Sequence, residues 1–299
     1  MILQILRRTW FPLLKIRGPV IKAHVDYPIR RLTSFYQSGV VSDLIIIEQP
    51  SDVMQLPSNH RPIGAGSNSL ISPEISVPLI KVAPNYCDIQ VHDDHSITCS
   101  AGLPLSIFLK KMTEHSLSGL EFATGVPASL GGMVYMNFEC WGMAMGDYVL
   151  AVQLYDSKHG VRWVSRSDYD AGYRWTSFHE QSVILLAVRV ALTPSSSGKI
   201  KQTMATYLTR RKEKQPLLNR TFGSVFKNPA HQKVGALIDQ LALKGQSIGD
   251  AKVSLMHANF FENIQDATFK DTVALIKLIQ NKVHEMYNIK LECEVQIID

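Results

Sequence analysis

Short runs of β-branched and aliphatic residues, interrupted by Pro, Gly, Asn and Asp, constrain the fold of this chain more than any other feature. They recur in SDLIIIEQP, RPIGAGSNSLI, VPLIKVAP, DIQVHDDHSITCSAG, YVLAVQLYDSKHGVRWV and SVILLAVRVAL. Such runs are typical of β-strands joined by turns. The segment LPLSIFLKKMTEHSLSG predicts a helix instead, because its apolar residues recur at helical spacing: Leu105, Phe108, Leu109 and Met112. The first two thirds of the chain therefore mix strands and helices.

A Pro- and Ser-rich stretch, LTPSSSGKIKQ, is the best linker candidate. We place a domain boundary there, with one domain over residues 1–193 and a second over residues 194–299. A basic helical stretch, QTMATYLTRRKEKQP, follows it. Further on, DATFKDTVALIKLIQNKVHEMY predicts a second helix that is capped by Asp266. Its apolar stripe is formed by Phe269, Val273, Ile276, Ile279, Val283 and Met286.

The final stretch, IKLECEVQIID, alternates strictly and predicts a strand. Leu291, Cys293, Val295 and Ile297 would face one side, and Glu292, Glu294 and Gln296 the other. The alternation thus places Glu294 on a polar face in the middle of a strand.

The formal net charge of +5 is unevenly distributed. The first 31 residues carry seven Lys or Arg against one Asp, so the remainder is close to neutral. A near-neutral body argues against a broad nucleic-acid interface, and we expect no nucleic-acid partner. The opening residues MILQILRRTWFPLLKIRG form neither a membrane span nor an export signal, because Arg7 and Arg8 interrupt a short apolar run. Two interpretations remain: an amphipathic helix with weak membrane-surface contact, or a helix packed on the fold.

The four cysteines are scattered, without a C-x-x-C pair or a metal-ligand spacing to His. We therefore expect no disulfide framework and no metal site. A reducing, cytoplasmic setting fits this cysteine usage best.

The stretch GAGSN, from Gly64 to Asn68, is the first candidate binding motif. Its two glycines allow a tight turn that brings backbone N–H groups against a phosphate, and Ser67 and Asn68 add side-chain donors. It is not a Rossmann fingerprint, because Ser69 stands at the third glycine position. Taken alone, an ordinary turn explains it equally well.

A second glycine cluster lies in GLEFATGVPASLGGMVYMN, with Gly125, Gly131 and Gly132. Glycines let a flat or charged ligand lie directly on the backbone, and Pro127 makes the approach rigid. The alternative is a loop and helix start that need close packing. Two such clusters in one chain favour a dinucleotide cofactor.

Three further motifs carry polar groups suited to chemistry. Arg174 in YRWTSF can hold a carboxylate or stabilise an enolate, although a surface salt bridge is the ordinary role of an arginine. In LTRRKEKQP, Arg210, Arg211 or Lys214 can grip a diphosphate, although a charge run on a helix is usually a solvated face. In NRTFGSVFKNPA, Ser224 has no obvious base beside it, so a nucleophile, a proton donor and a turn residue all remain open.

The motifs GAGSN, GVPASLGG, YRWTSF, RRKEKQP, TFGSVFKNP, LKGQSIGDAKVSLMHANF and LECEVQIID resemble, in this order, those of the UDP-N-acetylenolpyruvoylglucosamine reductase (MurB) family. The resemblance runs from about Arg61 to the C-terminus and is most specific in the C-terminal third. The interval between VFKNP and HANF corresponds to the shorter form of the family.

The resemblance implies an α+β fold with an FAD-binding domain of the vanillyl-alcohol-oxidase (PCMH) type over residues 1–193. That domain would have two subdomains that divide near residues 80–100, and a C-terminal α+β domain would bind the substrate. The implied reaction reduces the enolpyruvyl ether of UDP-N-acetylglucosamine to UDP-N-acetylmuramate in peptidoglycan precursor synthesis. FAD would be bound non-covalently, NADPH would be the reductant, and the protein would be a cytoplasmic monomer that binds a UDP-sugar.

The resemblance also implies roles for individual residues. Arg174 and Glu294 would stabilise the enolate-like intermediate, and Ser224 would donate a proton to the α-carbon. The implied cofactor contacts are Gly64, Ala65, Gly66, Ser67, Asn68, Ser69, Gly125, Pro127, Ser129, Gly131, Gly132 and Asn137. The implied substrate contacts are Arg210, Lys214, Lys227, Asn228, His257 and Asn259.

The chain departs from the family pattern in three places. Residues 138–141 read Phe-Glu-Cys-Trp where small residues are usual, residues 38–40 read Ser-Gly-Val in place of a Gly-Gly motif, and Met256 replaces a common lysine. Three hypotheses follow: the reductase itself, a related flavoenzyme with another substrate or electron donor, and a non-catalytic binding protein. The second rests on Phe138 and Trp141 narrowing the nicotinamide stack. The intact Arg174, Ser224 and Glu294 disfavour the third.

Overall fold

The computed structural model describes residues 21–229 and 232–299. The two interpretations of the basic N-terminal segment therefore fall largely on residues 1–20, outside the described part of the chain. Among the described residues, none of the helices is both long and apolar enough to cross a membrane.

A four-stranded mixed sheet organises the first part of the described chain. The strands up to residue 100 are β1 (Lys22–Pro28), β2 (Val40–Ile47), β3 (Arg61–Pro62), β4 (Ser69–Ile71), β5 (Leu79–Val82), β6 (Gln90–Val91) and β7 (Ile97–Ser100). The sheet has the order β1-β2-β5-β3, with β1 antiparallel to β2 and the other pairs parallel. Because parallel strands end at one edge of a sheet, the turn after β3 lies beside the end of β5. Ile63 N–H donates to the Ile80 carbonyl across this edge, at 2.8 Å.

A second, antiparallel sheet of five strands supports the larger core, in the order β12-β11-β15-β7-β6. The strands added here are β8 (Leu117–Ser118), β9 (Glu139–Cys140), β10 (Met143–Ala144), β11 (Val149–Asp156), β12 (Gly160–Ser165), β13 (Ala171–Gly172), β14 (Trp175–Thr176), β15 (Ile184–Val190) and β16 (Thr193–Pro194). Strand β15 is apolar except for Arg189, because both its faces are covered. Leu185 and Val188 join the main core, whereas Ile184 and Leu186 join the core shared with the first sheet. The strands predicted from the interrupted apolar runs are thus confirmed.

Helices α1 (Leu105–Glu114), α2 (Leu130–Tyr135) and α3 (Ser197–Lys212) complete this main core. The apolar face predicted for α1 is buried as expected. Helix α3 is capped by the Ser196 side chain and buries Ile200 in the same core, with Met204 and Tyr207 packed against it. The helix that follows the predicted linker therefore packs on the N-terminal region.

The C-terminal region has its own core, which begins at Phe222. Its elements are α4 (Val234–Gln240), β17 (Ser247–Ile248), β18 (Ala251–Val253), β19 (Phe261–Asn263), α5 (Phe269–Tyr287) and β20 (Gln296–Ile298). Phe35 and Leu70 from the first region belong to this core, and β20 pairs with β4 in parallel. Shared packing and strand pairing thus join the C-terminal region to the first sheet.

The predicted C-terminal helix is confirmed as α5, with two corrections. Its N-cap is Thr268, not Asp266: the Thr268 hydroxyl accepts from Asp271 N–H, and the Asp271 carboxylate accepts from Thr268 N–H. Such a reciprocal cap contributes about 1 kcal/mol. Met286 is 66% exposed, because the last turn of α5 extends beyond the core.

The strict alternation predicted for the final strand is wrong. Strand pairing covers Gln296–Ile298, and the chain bends at Glu294 and Val295. The N–H groups of these two residues both approach the carbonyl of Val225, at 2.8 and 3.3 Å. Two residues therefore oppose one, which shifts the phase of the side chains as a β-bulge does. Glu294 is consequently 9% exposed, whereas Ile297 is 38% exposed.

Candidate active site

A cavity of about 1580 Å3 lies where both sheets and the C-terminal region meet. Pockets for small ligands commonly measure about 300–1,000 Å3, so this cavity has room for a dinucleotide and a second ligand. The predicted site residues that line it are Gly64, Ala65, Gly66, Ser67, Asn68, Ser69, Gly125, Pro127, Ser129, Gly131, Gly132, Arg174, Ser224 and Glu294.

The two glycine clusters meet backbone to backbone at the cavity wall. A Cβ at Gly64 would lie 2.8 Å from Ser129 Oγ and 3.6 Å from Gly132 Cα. Gly66 has φ +67°, and a Cβ there would lie 1.9 Å from the Leu32 carbonyl oxygen. Both positions thus require glycine, one for close approach and the other also for its backbone conformation.

The loop from Gly64 to Asn68 presents unbonded backbone donors to the cavity. Within the described residues, none of its five N–H groups donates a hydrogen bond to the protein. Buried N–H groups are normally paired, so a row of free ones facing a cavity fits an anion such as a diphosphate. Two hydrogen bonds to the C-terminal segment hold the loop in place. Asn68 Nδ2 donates to the Glu294 carbonyl at 3.0 Å, and the Asn68 carbonyl accepts from Gln296 N–H at 2.9 Å.

Arg174 and Glu294 form a buried ion pair on the cavity wall. Arg174 Nε lies 2.9 Å from Glu294 Oε1, and the two side chains are 15% and 12% exposed. The Nε–H does not point along this line, so the contact is ionic rather than a directional hydrogen bond. Burial raises the pKa of Glu294, while Arg174 and, less strongly, Lys227 lower it. Arg174 occupies the turn between β13 and β14 with φ +55°, a rarely populated conformation that functional sites often hold.

Ser224 lies between two segments of the C-terminal region. It forms an isolated bridge with Phe260, and its neighbour Val225 accepts from Glu294 N–H at 2.8 Å. Within the described part of the chain, its hydroxyl makes no hydrogen bond to any side chain, and it opens on the cavity. The geometry around Ser224 contains no paired base that would make it a nucleophile.

Residues 138–141, which depart from the family pattern, lie in two different environments. Phe138, Glu139 and Cys140 line the cavity, and the Arg174 guanidinium lies 5.4 Å from the Phe138 ring centroid. Trp141 turns away from it: the Arg210 guanidinium lies 3.9 Å from its ring centroid. The narrowing expected from Trp141 is therefore not observed, and of the two bulky aromatic residues Phe138 alone lies at the wall.

Asn137 does not line the cavity. Its φ is +40°, its Nδ2 donates to the Gly172 carbonyl at 2.8 Å, and its Oδ1 accepts from Gly146 N–H at 2.8 Å. Both ends of the amide are thus used to hold the turn that precedes Phe138.

The six predicted substrate residues also lie outside the cavity lining. Asn259 is buried and clamps Phe226 through both ends of its amide, at 3.0 and 2.8 Å. His257 packs against the Phe260 ring, and burial lowers its pKa, which favours the neutral imidazole. Both side chains are therefore committed to packing within the C-terminal region.

Lys227 and Asn228 follow Ser224 and lie near the rim. Asn228 Nδ2 is 3.4 Å from the Tyr173 hydroxyl, next to Arg174, and its Oδ1 accepts from Val234 N–H at 3.1 Å. Lys227 Nζ is 3.4 Å from a carboxylate oxygen of Glu292. Arg210 packs on Trp141, and Lys214 is exposed beyond the end of α3.

Arg211, one of three candidates for gripping a diphosphate but not among the implied substrate contacts, is 3% exposed and lines the cavity. Its guanidinium donates to the carbonyls of Thr124 and Phe122, at 3.0 and 3.1 Å, and contacts Cys140 Sγ at 3.5 Å. It thereby ties the second glycine cluster to the Phe138–Cys140 wall. The adjacent pair Arg210–Arg211 indicated that an arginine could contact a ligand here. Neighbouring positions on a helix point in directions about 100° apart, so the sequence alone did not show which of the two faces the cavity.

Three comparisons with known proteins bear on this site. A family model described as the C-terminal domain of UDP-N-acetylenolpyruvoylglucosamine reductase matches residues 215–298. A protein named UDP-N-acetylenolpyruvoylglucosamine reductase from Alkaliphilus oremlandii is 35% identical over 282 residues, 92% of each chain. One of the same name from Petrotoga mobilis is 37% identical over 283 residues, 90% of this chain and 92% of its own. The crystal structure of the Thermus caldophilus reductase has a TM-score of 0.81 and 26% identity, covering 94% of this chain and 99% of that one.

Proposed function

Because the chain belongs to the UDP-N-acetylenolpyruvoylglucosamine reductase family, we propose that it catalyses the reaction for which that family is named. It is an FAD-dependent oxidoreductase that uses NADPH to reduce UDP-N-acetylglucosamine enolpyruvate to UDP-N-acetylmuramate, a step of peptidoglycan precursor synthesis. The observation that carries the proposal is the shared cavity: Arg174, Ser224 and Glu294 open on the space that both glycine clusters line.

The cavity wall fits FAD by its donors and its shape. The free N–H groups of Gly64–Asn68 suit the diphosphate, and the side-chain-free backbone at Gly131 and Gly132 suits close contact with a flat ligand. When bound there and reduced by NADPH, FAD would supply a hydride for the β-carbon of the enolpyruvyl group. The protein's own contribution is to hold the substrate, stabilise the negative charge that builds up on it, and deliver a proton.

Arg174 is the cation for that negative charge. Its guanidinium is fixed by Glu294 on one side and by the Phe138 ring on the other, so it does not have to reorganise as charge develops. Glu294 keeps Arg174 in place, and the bulge at Val225 puts the carboxylate there.

Ser224 is the proton donor to the α-carbon. A serine hydroxyl is a very weak acid, so it donates only to a strongly basic carbanion held in contact with it. Its lack of a hydrogen-bonded base fits donation and does not fit nucleophilic attack.

Of the two alternative hypotheses, the flavoenzyme with another electron donor is supported only by the bulky Phe138 ring at the cavity wall. The Trp141 ring packs against α3 and does not line the cavity, so it does not narrow it. The same substitution pattern gives no support to a non-catalytic protein, because Arg174 and Ser224 keep their place at the cavity.

Changing Gly66 to Ala is expected to lower FAD affinity at least about tenfold. A side chain at positive φ costs about 1–2 kcal/mol, and the Cβ would also push the loop away from Leu32. The flavin-to-protein ratio of purified variants measures this. Gly160→Ala is the matched control, because Gly160 has φ +72° with open space around it. A Gly66→Ala protein with a full complement of FAD would contradict the phosphate-loop assignment.

Changing Asn228 to Ala is expected to raise the KM for the UDP-sugar about tenfold and to leave flavin reduction by NADPH near the parent rate. The amide lies beside Tyr173 and Arg174, where it can contribute binding that is equal in ground and transition states. Asn228→Asp keeps the oxygen that caps Val234 N–H and separates folding from binding. Lys199→Ala, in the exposed first turn of α3, is the control, and equal KM values in all three variants would place the sugar elsewhere.

We further propose that the domain boundary lies where the chain passes from the main core to the core of the C-terminal region. Residues up to about 212 would then bind FAD, and the rest would bind the sugar. A cytoplasmic location is what we expect from the function, since its substrates are soluble nucleotides, and we propose that the protein is a monomer. Sedimentation of the purified holoprotein tests the oligomeric state.

A further inference from the structure

Four cationic side chains surround the Gly64–Asn68 loop. Arg30, Arg31, Arg61 and Lys81 all line the same cavity. Within the described residues, none of the four side chains forms an ion pair or a hydrogen bond with the protein. Lys22, Lys111 and Lys244, in contrast, each form an ion pair with a carboxylate. The loop of free N–H groups thus lies in an excess of uncompensated positive charge.

The three segments that carry these residues pack directly on the loop. The Arg30–Arg31 turn continues into Leu32, whose carbonyl oxygen lies under Gly66. Ser34 N–H donates to the Gly66 carbonyl at 3.3 Å. Arg61 is in β3, which leads into the loop, and Lys81 is in the adjacent strand β5. The cations and the free N–H groups therefore converge on one end of the cavity.

Lys81 is the least exposed of the four. It is half-buried in β5, where it pairs with Ile46 of β2, whereas the three arginines are exposed. Burial lowers the pKa of Lys81, and among the residues that the structure describes no carboxylate acts against this effect. Thr33, beside the same loop, buries a hydroxyl that has no partner within the described chain. A desolvated ammonium and an unpaired hydroxyl are costly unless a ligand completes them.

We propose that Lys81, assisted by Arg61, is the counter-charge of the FAD diphosphate bound on the Gly64–Asn68 loop. The inference rests on the proposed function for the identity of the ligand, whereas the need for a phosphate comes from the cations and the free N–H groups. NADPH and the UDP-sugar also carry phosphates, but they leave in every turnover. A half-buried lysine that would lose its partner each cycle suits them less than a cofactor that stays bound.

The test compares Lys81→Met and Lys81→Arg with the parent protein. Flavin is stripped from the full chain, which is then titrated with FAD and with riboflavin, a phosphate-free probe. Lys81→Met is expected to weaken FAD binding about tenfold and to leave riboflavin binding unchanged, whereas Lys81→Arg retains most FAD affinity. Lys110→Met is the matched control, because Lys110 is an exposed lysine on α1. Should a stripped variant fail to refold, the rate of FAD release from its holoprotein on dilution gives the same comparison.

Equal losses for FAD and riboflavin would overturn the proposal, because they indicate a structural role for Lys81. Unchanged FAD affinity would overturn it as well. The other phosphate sources are distinguished at saturating FAD: a Lys81→Met protein whose KM rises for NADPH or for the UDP-sugar, with FAD affinity unaltered, assigns the charge to that ligand instead. The FAD and riboflavin titrations do not depend on the parent protein's turnover of the enolpyruvyl sugar, so failure of the proposed function would be seen separately.

Discussion

Ser224→Ala slows reoxidation of the reduced flavin by the enolpyruvyl substrate roughly 10²-fold or more, the range expected for loss of a positioned general acid. FAD binding and flavin reduction by NADPH stay close to the parent values, because the hydroxyl acts only after negative charge has built up on the substrate. Stopped-flow absorbance of the two half-reactions, each followed in a single turnover, separates these steps.

Two further serine variants sharpen this comparison. Ser224→Cys restores part of the rate, since a thiol also donates a proton but has a longer bond. Ser165→Ala, on the exposed edge strand β12, leaves both half-reactions unchanged. If Ser224→Ala reoxidised at the parent rate, the proton-donor role would be lost and the residue would be an ordinary turn residue.

Arg174→Gln is expected to reduce the rate of the same half-reaction by roughly 10²–10³-fold, as removal of one preorganised charge-stabilising donor does elsewhere. The guanidinium is held by Glu294 and Phe138 before the substrate arrives, so a neutral side chain loses both the charge and its placement. The reductive half-reaction with NADPH is measured alongside and should change much less.

The same substitution also makes stability depend on pH. Without Arg174, the buried Glu294 carboxylate has lost its main counter-charge, and its already raised pKa rises further. A raised folded-state pKa gives stability that is full below the unfolded value, near 4.5, and is lost as the pH rises through the folded value. Urea unfolding should therefore show a deficit that grows toward about 3–5 kcal/mol between acid and neutral pH.

The double variant Arg174→Gln/Glu294→Gln distinguishes folding from catalysis. Removing the carboxylate should recover much of the stability, because no uncompensated charge remains buried. The rate should stay low, because the cation is still missing. A double variant that recovered the parent rate would show that Arg174 serves only to neutralise Glu294.

The parts of this site that sequence could predict are those encoded in short-range backbone rules. The Gly64–Asn68 loop follows from glycine spacing after an extended segment, and Gly66 indeed adopts a conformation that glycine favours. The amphipathic pattern of α1 likewise predicted its buried face. In both cases the information lies within a few residues of the feature.

Other parts depend on contacts between distant segments. The bulge opposite Val225 buries Glu294 and exposes Ile297, and nothing in the alternation of that strand encodes Val225. The direction of Trp141 depends on a two-residue turn in which Trp141 and Gly142 both have positive φ, at +59° and +81°. That turn places the indole against Arg210 of α3, a packing partner that is remote in sequence.

The most direct test of the central claim is an anaerobic titration of the purified holoprotein. The bound flavin is first reduced with one equivalent of NADPH, and UDP-N-acetylglucosamine enolpyruvate is then added in steps. We expect the oxidised-flavin absorbance to return in proportion to added substrate, with one UDP-N-acetylmuramate formed per flavin reoxidised. A reduced flavin that persists in excess substrate, with no UDP-N-acetylmuramate formed, would contradict the assignment of this chain as the reductase.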